Sequence, residues 1–210
     1  MKLNKETVLQ DMFELQKSLQ KNITEKRQVF LMDDSKNRYE KAVDSGYFFM
    51  CTVVELNEML EEVEKLESSN DPKILENVKF EVIDVWHFLM CQLIYLGYTL
   101  DKDIEYYYEQ AVIKRRLTID KHVDMTFNVS EFISSIGKMY NNTSYKCWKN
   151  YNGNYIENDD LLIDLIDDVV ISFFTFFVIL EMDIDEIWKY YVEKNKENLE
   201  RQNIGGRYAD

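Results

Sequence analysis

One stretch, FEVIDVWHFL at residues 80–89, sets the character of this chain. Its two carboxylates, Glu81 and Asp84, are three residues apart, which places them on the same face of an α-helix. Most other residues from Val78 to Leu96 are apolar, so this helix is expected to lie largely inside the protein. Two acidic side chains on a largely apolar helix indicate a functional site.

A second acidic pair, Glu55 and Glu58, has the same spacing and follows the mainly apolar run FFMCTVV at residues 48–54. Four carboxylates directed toward a core cannot all stay ionised without counter-charge. Divalent cations supply that charge, and ligands that are all oxygen favour Mg²⁺ or Mn²⁺. The residues alone leave a second interpretation open, in which both pairs belong to solvated helix faces.

Composition predicts an all-α fold. The chain has 210 residues, enough for one compact domain or two small ones, and 46% of them are hydrophobic. The presence of only six glycines and one proline favours long helices. The net charge of −14 argues against non-specific nucleic-acid binding. Three scattered cysteines, no signal-peptide pattern and no apolar run long enough for a membrane span predict a reduced, cytoplasmic protein without a membrane partner.

Hydrophobic periodicity and capping residues divide the chain into seven predicted helices. Asp71 with Pro72, and Asp183 with Glu186, are the clearest helix starts. The polar, aromatic segment 141–159 is expected to be a mobile or inserted segment, and residues 121–128 and 202–210 are expected to be a connection and a terminal loop. The predicted helices cover approximately residues 3–23, 39–67, 72–96, 101–120, 130–140, 160–180 and 183–200.

Other chemistries fit the chain less well. A di-iron bundle uses two Glu-x-x-His patterns, whereas only Asp84-x-x-His87 comes close here. A catalytic zinc site needs more histidine or cysteine ligands than two histidines and scattered cysteines provide. Glycine-rich phosphate loops and a Gly-x-Ser-x-Gly turn are absent from the sequence.

Basic residues are concentrated near the end of this acidic chain. Lys194, Asn198 and Arg201 are spaced at i, i+4 and i+7, so they share one helix face. They could simply complement the dipole at a helix C-terminus. They could also bind a polyphosphate, since a guanidinium matches phosphate oxygens in geometry and charge.

Together these motifs resemble the all-α NTP pyrophosphatase superfamily, and most closely the dimeric dUTPases and related phage dCTPases. The two acidic pairs match its metal-binding motifs. The segment KNKENLERQ at residues 194–202 resembles the C-terminal motif Lys-Asn-x-x-Asn-x-x-Arg-Gln. The segment QKSLQ at residues 16–20 is similar to the N-terminal motif Gln-x-x-Leu-Asn.

The resemblance implies a multi-helix bundle that forms a single domain over residues 1–210, acts as a homodimer and hydrolyses dUTP to dUMP and pyrophosphate. A metal-activated water would attack the α-phosphorus, with Mg²⁺ as cofactor and Mn²⁺ as a possible substitute. The implied catalytic residues are Glu55 and Glu58, and the implied metal ligands are Glu55, Glu58, Glu81 and Asp84. The residues implied to bind phosphate are Lys194, Asn198 and Arg201. Those implied to bind the base or sugar are Gln16, Gln20, Trp86 and His87.

Two departures from the family pattern leave the base open. Gln20 stands where the motif has asparagine, and no tryptophan lies between Glu58 and Glu81, where family members often have one. A dCTP or dual dCTP/dUTP pyrophosphatase is therefore the alternative within the family. A non-catalytic helical interaction protein is the alternative of another class.

Overall fold

The computed structural model describes residues 4–27, 35–36, 40–41, 44–69, 71–115, 121–142 and 159–203. Within these ranges the secondary structure is α-helical and contains no strand, which confirms the all-α prediction. The helices are α1 (Val8–Arg27), α2 (Gly46–Ser68), α3 (Pro72–Leu96), α4 (Ile104–Lys114), α5 (Lys121–Asn142), α6 (Asp159–Ile179) and α7 (Ile184–Asn203).

Helix α3 begins and ends where the sequence predicts. A side-chain oxygen of Asp71 accepts a hydrogen bond from the backbone N–H of Lys73 at 2.9 Å, and Pro72 occupies the first helical position. Gly97 ends the helix with a φ of +83°, a left-handed conformation that glycine adopts without steric cost. These caps fix the ends of the helix that carries Glu81 and Asp84.

Helix α7 also has the predicted start. The Asp183 carboxylate accepts a hydrogen bond from the backbone N–H of Glu186 at 2.8 Å. The Glu186 carboxylate does not complete a capping box, because it pairs with Lys79 of α3 at 2.5 Å. The first turn of α7 is therefore tied to α3.

The predicted connection at residues 121–128 is wrong, since these residues form the first part of α5. Their pattern is misleading because polar side chains are buried and apolar ones exposed. Asp124 and Asn128 are buried, and the Asn128 amide donates to the carbonyl of Ser172 at 3.3 Å. Val123 and Phe127 are about half exposed.

Other helix bounds differ by a few residues. Helix α1 begins at Val8 rather than at residue 3, and α4 begins at Ile104 rather than at residue 101. Residues 143–158 of the predicted mobile or inserted segment lie outside the described residues, as do residues 39, 116–120 and 204–210. Residues 202 and 203, expected in the terminal loop, belong to α7.

The chain divides into two compact units, residues 1–104 with 183–210 and residues 105–182. In the first, α2 packs along α3, and α1 packs on both α3 and α7. In the second, α5 packs on α6 around phenylalanine side chains that include Phe132, Phe173 and Phe177. The single-domain assignment stays a prediction.

Among the described residues, no helix is long and apolar enough to cross a membrane.

Candidate active site

Helices α2 and α3 bring three predicted metal ligands together. One carboxylate oxygen each from Glu55, Glu81 and Asp84 lies within 4.8 Å of the others, and all three side chains are partly buried. Glu55 comes from α2, whereas the other two come from adjacent turns of α3. Three hard oxygen ligands in this arrangement could hold a metal ion such as Mg²⁺.

Burial raises the pKa values of all three carboxyl groups. Burial raises the pKa of Glu55 to about 7, and the charges of Asp84, Glu58 and Glu81 add to this effect. Burial and the charge of Asp84 likewise raise the pKa of Glu81 to about 7. The two glutamates are therefore partly protonated near neutral pH in the metal-free protein, and a bound cation would favour their ionised forms.

Lys194 supplies part of the missing positive charge. Its Nζ lies 2.6 Å from Oδ2 of Asp84, with the two side chains only 12% and 13% exposed. Burial alone would lower the pKa of Lys194, but the charge of Asp84 and the hydrogen bond to it outweigh burial and raise that pKa. Lys194 is therefore a charged partner of the acidic cluster at neutral pH.

The other two predicted phosphate-binding residues lie further along α7. Arg201 is exposed, and its guanidinium is 2.5 Å from the carboxylate of Glu197, which also lies 3.7 Å from Lys194 Nζ. Asn198 is partly buried. The positive charge of Arg201 lowers the pKa of Asp84, in opposition to the larger effect of burial. The face predicted to bind phosphate thus adjoins the acidic cluster.

Gln16 and His87 form a buried pair next to the cluster. Oε1 of Gln16 lies 2.5 Å from Nδ1 of His87, and Nε2 of Gln16 donates to Sγ of Cys91 at 2.9 Å. Because Oε1 only accepts, Nδ1 of His87 carries the proton. Burial lowers the pKa of His87 to about 3, and the charge of Lys194 contributes, so the ring is neutral.

Gln20 lies one helical turn beyond Gln16 and is fully buried. Its Nε2 donates to the backbone carbonyl of Cys91 at 3.2 Å. Cys91 of α3 therefore lies next to both glutamines, and His87 is joined to them through Gln16. Trp86 is also fully buried, but it lies about 100° around the helix from His87.

A family model described as dUTPase matches residues 8–206. The chain belongs to the dUTPase family. No curated protein and no solved structure shows a significant match to it. The family model confirms the resemblance found in the motifs and identifies the chain as a nucleotide pyrophosphatase of the hydrolase class.

In this dUTPase-family site, Glu58 is the predicted ligand that stands apart. It is exposed and is not one of the three clustered carboxylates, although its charge helps to raise the pKa of both Glu55 and Glu81. Glu58 lines a cavity of about 590 Å³ that Glu81 also borders. Its roles in metal binding and catalysis stay predictions.

Sequence reasoning missed Tyr191, a fully buried residue of the dUTPase-family chain. The Tyr191 hydroxyl donates to the carbonyl of Met12 at 2.8 Å and lies 3.3 Å from Oε1 of Gln16. Its ring stacks on His87, with centroids 4.6 Å apart and planes inclined by 16°. The spacing of three residues between Tyr191 and Lys194 is the signal that could have revealed it.

Asn195 and Cys91 are also missing from the predicted site. Asn195 is 3% exposed and lies one helical turn beyond Tyr191 on α7. Burial raises the pKa of the Cys91 thiol to about 12, so this sulfur stays neutral beside Gln16. The sequence gives no direct signal for Cys91, because its two glutamine partners are more than 70 residues away.

Proposed function

We propose that this dUTPase-family chain is a Mg²⁺-dependent pyrophosphatase that hydrolyses dUTP to dUMP and pyrophosphate. The observation that carries the proposal is the 2.6 Å ion pair between Lys194 and Asp84. It joins a residue predicted to bind phosphate to a residue predicted to bind metal, although the two are 110 positions apart in sequence. A triphosphate bound by α7 would therefore lie beside the carboxylate cluster.

Glu55, Glu81 and Asp84 fit Mg²⁺, because they offer three oxygen ligands and an excess of negative charge. Glu58 would join them from the rim of the site, and Mn²⁺ could substitute for Mg²⁺. When bound, the metal would neutralise phosphate charge and help to activate the attacking water. Because ionised carboxylates bind the metal, its affinity should increase with pH.

Lys194, Asn198 and Arg201 would hold the phosphate chain. In the absence of substrate, the two cations are paired with Asp84 and Glu197. Phosphate oxygens would replace those carboxylates as partners, and the bidentate guanidinium of Arg201 suits this exchange. These contacts orient the α-phosphorus toward the acidic cluster.

Glu55 is the proposed general base. If Glu55 binds the metal through one carboxylate oxygen, its second oxygen can accept the proton of the attacking water. A water attacks the α-phosphorus and gives its proton to Glu55. The bond from the α-phosphorus to the bridging oxygen breaks, and pyrophosphate leaves with that electron pair.

Gln16, Gln20, Trp86 and His87 would lie near the base and sugar. The second candidate substrate is dCTP, because one acceptor of the site fits both bases. Oε1 of Gln20 has no hydrogen-bond partner among the described residues, and it could accept from the 4-amino group of cytosine as well as from N3–H of uracil. The proposed activity therefore covers dUTP, with dCTP as the alternative.

The direct test is pyrophosphate release from dUTP, dCTP and dTTP, with Mg²⁺ and with a chelator. We expect Mg²⁺-dependent release from dUTP and none with the chelator. Glu81→Gln should abolish release while Glu64→Gln, at an exposed position of α2, retains it. The absence of Mg²⁺-dependent release from every substrate would instead favour a non-catalytic helical interaction protein.

We also propose that the enzyme is a cytoplasmic homodimer. Tyr47, Met50 and Val54 lie along one side of α2 and are 60%, 58% and 50% exposed, so they offer an apolar surface to a second copy. Light scattering during gel filtration should give twice the mass of the chain. A single monomeric species over the working concentration range would refute the dimer.

A further inference from the structure

Glu197 lies between the two cations that are proposed to bind phosphate. It follows Lys194 by three residues and precedes Arg201 by four, so the three side chains share one face of α7. Its Oε1 is 2.5 Å from the Arg201 guanidinium, and its Oε2 is 3.7 Å from Nζ of Lys194. One carboxylate therefore pairs with both cations through different oxygens, as a phosphate group of a substrate would.

The surroundings of Glu197 differ from those of an ordinary ion pair on a helix surface. Lys196 and Glu200 form such a pair on the same helix, 3.8 Å apart and with both side chains mostly exposed. Glu197 instead approaches Lys194, which is largely buried against Asp84. Burial is the main cause of the raised pKa of Asp84, and the negative charge of Glu197 adds to it. The charge of Glu197 therefore acts on the place where a triphosphate would bind.

A carboxylate at this position has two opposite effects on phosphate binding. It holds the cations in place before the substrate arrives, which favours binding, but it also repels phosphate oxygens and competes with them for the cations. The side chains of Glu197 and Arg201 are 46% and 52% exposed, and exposed ion pairs contribute little to order. Repulsion grows with the number of phosphate charges, so it is the larger effect.

Resting on the proposed function, we propose that Glu197 is an affinity-limiting residue that competes with phosphate groups for Lys194 and Arg201. It lowers the affinity of the site for the triphosphate and, after hydrolysis, for the pyrophosphate that remains on the same cations. When pyrophosphate leaves, Glu197 pairs with both cations again. Inhibition by this product is thereby limited, because free pyrophosphate must displace the carboxylate in order to rebind.

The test measures the affinity for inorganic pyrophosphate by titration calorimetry in the presence of Mg²⁺. Glu197→Gln keeps the size of the side chain and removes its charge. The variant should bind pyrophosphate about 3-fold to 30-fold more tightly than the wild type, because one negative charge close to several phosphate charges is removed. KM for the better of dUTP and dCTP should fall by a similar factor, and kcat should not rise, since pyrophosphate leaves more slowly.

Glu200→Gln is the matched control, because it removes the same charge from an ion pair on the same helix. It should change neither the affinity for pyrophosphate nor KM. The advantage of Glu197→Gln should also shrink when salt is raised from about 0.05 M to about 0.5 M, because salt screens repulsion between exposed charges. Glu197 is exposed, so the variant should fold, and circular dichroism checks this.

Equal or weaker binding of pyrophosphate by Glu197→Gln would overturn the proposal, and weaker binding would mean that Glu197 mainly holds its two cations in position. A gain in affinity that does not change with salt, or that Glu200→Gln shares, would also overturn it. All these results would leave the pyrophosphatase activity standing. No Mg²⁺-dependent turnover of dUTP or dCTP by the wild type would instead refute the proposed function and, with it, the role of Glu197 in product release.

Discussion

Glu81→Gln should stabilise the metal-free protein against unfolding, although it should abolish the Mg²⁺-dependent activity. Glutamine has nearly the shape of a protonated glutamic acid, so the change removes one negative charge from the crowded cluster with Glu55 and Asp84. A folded-state pKa of about 7, against an ordinary value of 4.5, means that ionised Glu81 opposes folding at alkaline pH.

The magnitude follows from that pKa. A change from 4.5 to about 7 corresponds to about 3.4 kcal/mol at a pH well above 7. Because Glu81 is only partly buried and solvent screens its charge, about 1 to 2 kcal/mol is the realistic gain in the free energy of unfolding. In a chain of this size, that gain raises Tm by about 2 to 8 °C.

The dependence on pH has a definite sign. The wild-type carboxyl contributes its full stabilisation below pH 4.5, where it is protonated in both states, and loses it as pH rises toward 7. The advantage of Glu81→Gln should therefore be largest at pH 8 and shrink to a fraction of that value at pH 5. Added Mg²⁺ should stabilise the wild type more than the variant.

The assay is urea or thermal unfolding in EDTA at pH 5 and pH 8, with Glu64→Gln as an exposed control. An unchanged or lower free energy of unfolding for Glu81→Gln at pH 8 would refute the electrostatic description of the cluster. A stabilisation of equal size at both pH values would refute its assignment to ionisation of Glu81.

Three further predictions concern residues around the cluster. Lys194→Gln should lower kcat/KM by about 10-fold to 100-fold, because a charge-assisted bond to phosphate is lost; initial rates showing no change would contradict the phosphate role. Tyr191→Phe should cost about 1 to 2 kcal/mol of unfolding free energy through its lost hydrogen bond to α1, with the ring stacking retained in aromatic NMR shifts. Gly97→Ala should lower the free energy of unfolding by about 1 kcal/mol, because Gly97 has a positive φ. Gly46→Ala should leave it unchanged, because no neighbouring atom lies within 4 Å of the added Cβ. Equal unfolding midpoints for the two variants would contradict this prediction.

Local signals in the sequence predict α3 closely. Asp71 marks its start through a side-chain cap, and Pro72 and Gly97 mark its ends through their backbone conformations. The start of α5 has no such signal, because buried Asp124 and Asn128 alternate with exposed apolar residues. Predictions from hydrophobic periodicity assume that polar residues face solvent, so they fail for a helix that buries polar side chains.

The candidate site shows the same division between local and long-range information. Spacing within a helix predicts that Glu81 and Asp84 share a face, but it cannot predict that Glu55 lies closer to them than Glu58 does. That outcome depends on how α2 is rotated against α3. The bond between Gln16 and His87 joins positions 71 residues apart, which no local pattern specifies.

Helix α7 links the two halves of the proposed site. Tyr191 holds α7 against Gln16 and His87, and three residues later Lys194 reaches Asp84. A shift of α7 would therefore change base contacts and phosphate contacts together. For this reason, substitutions at Tyr191 should affect KM for the whole nucleotide.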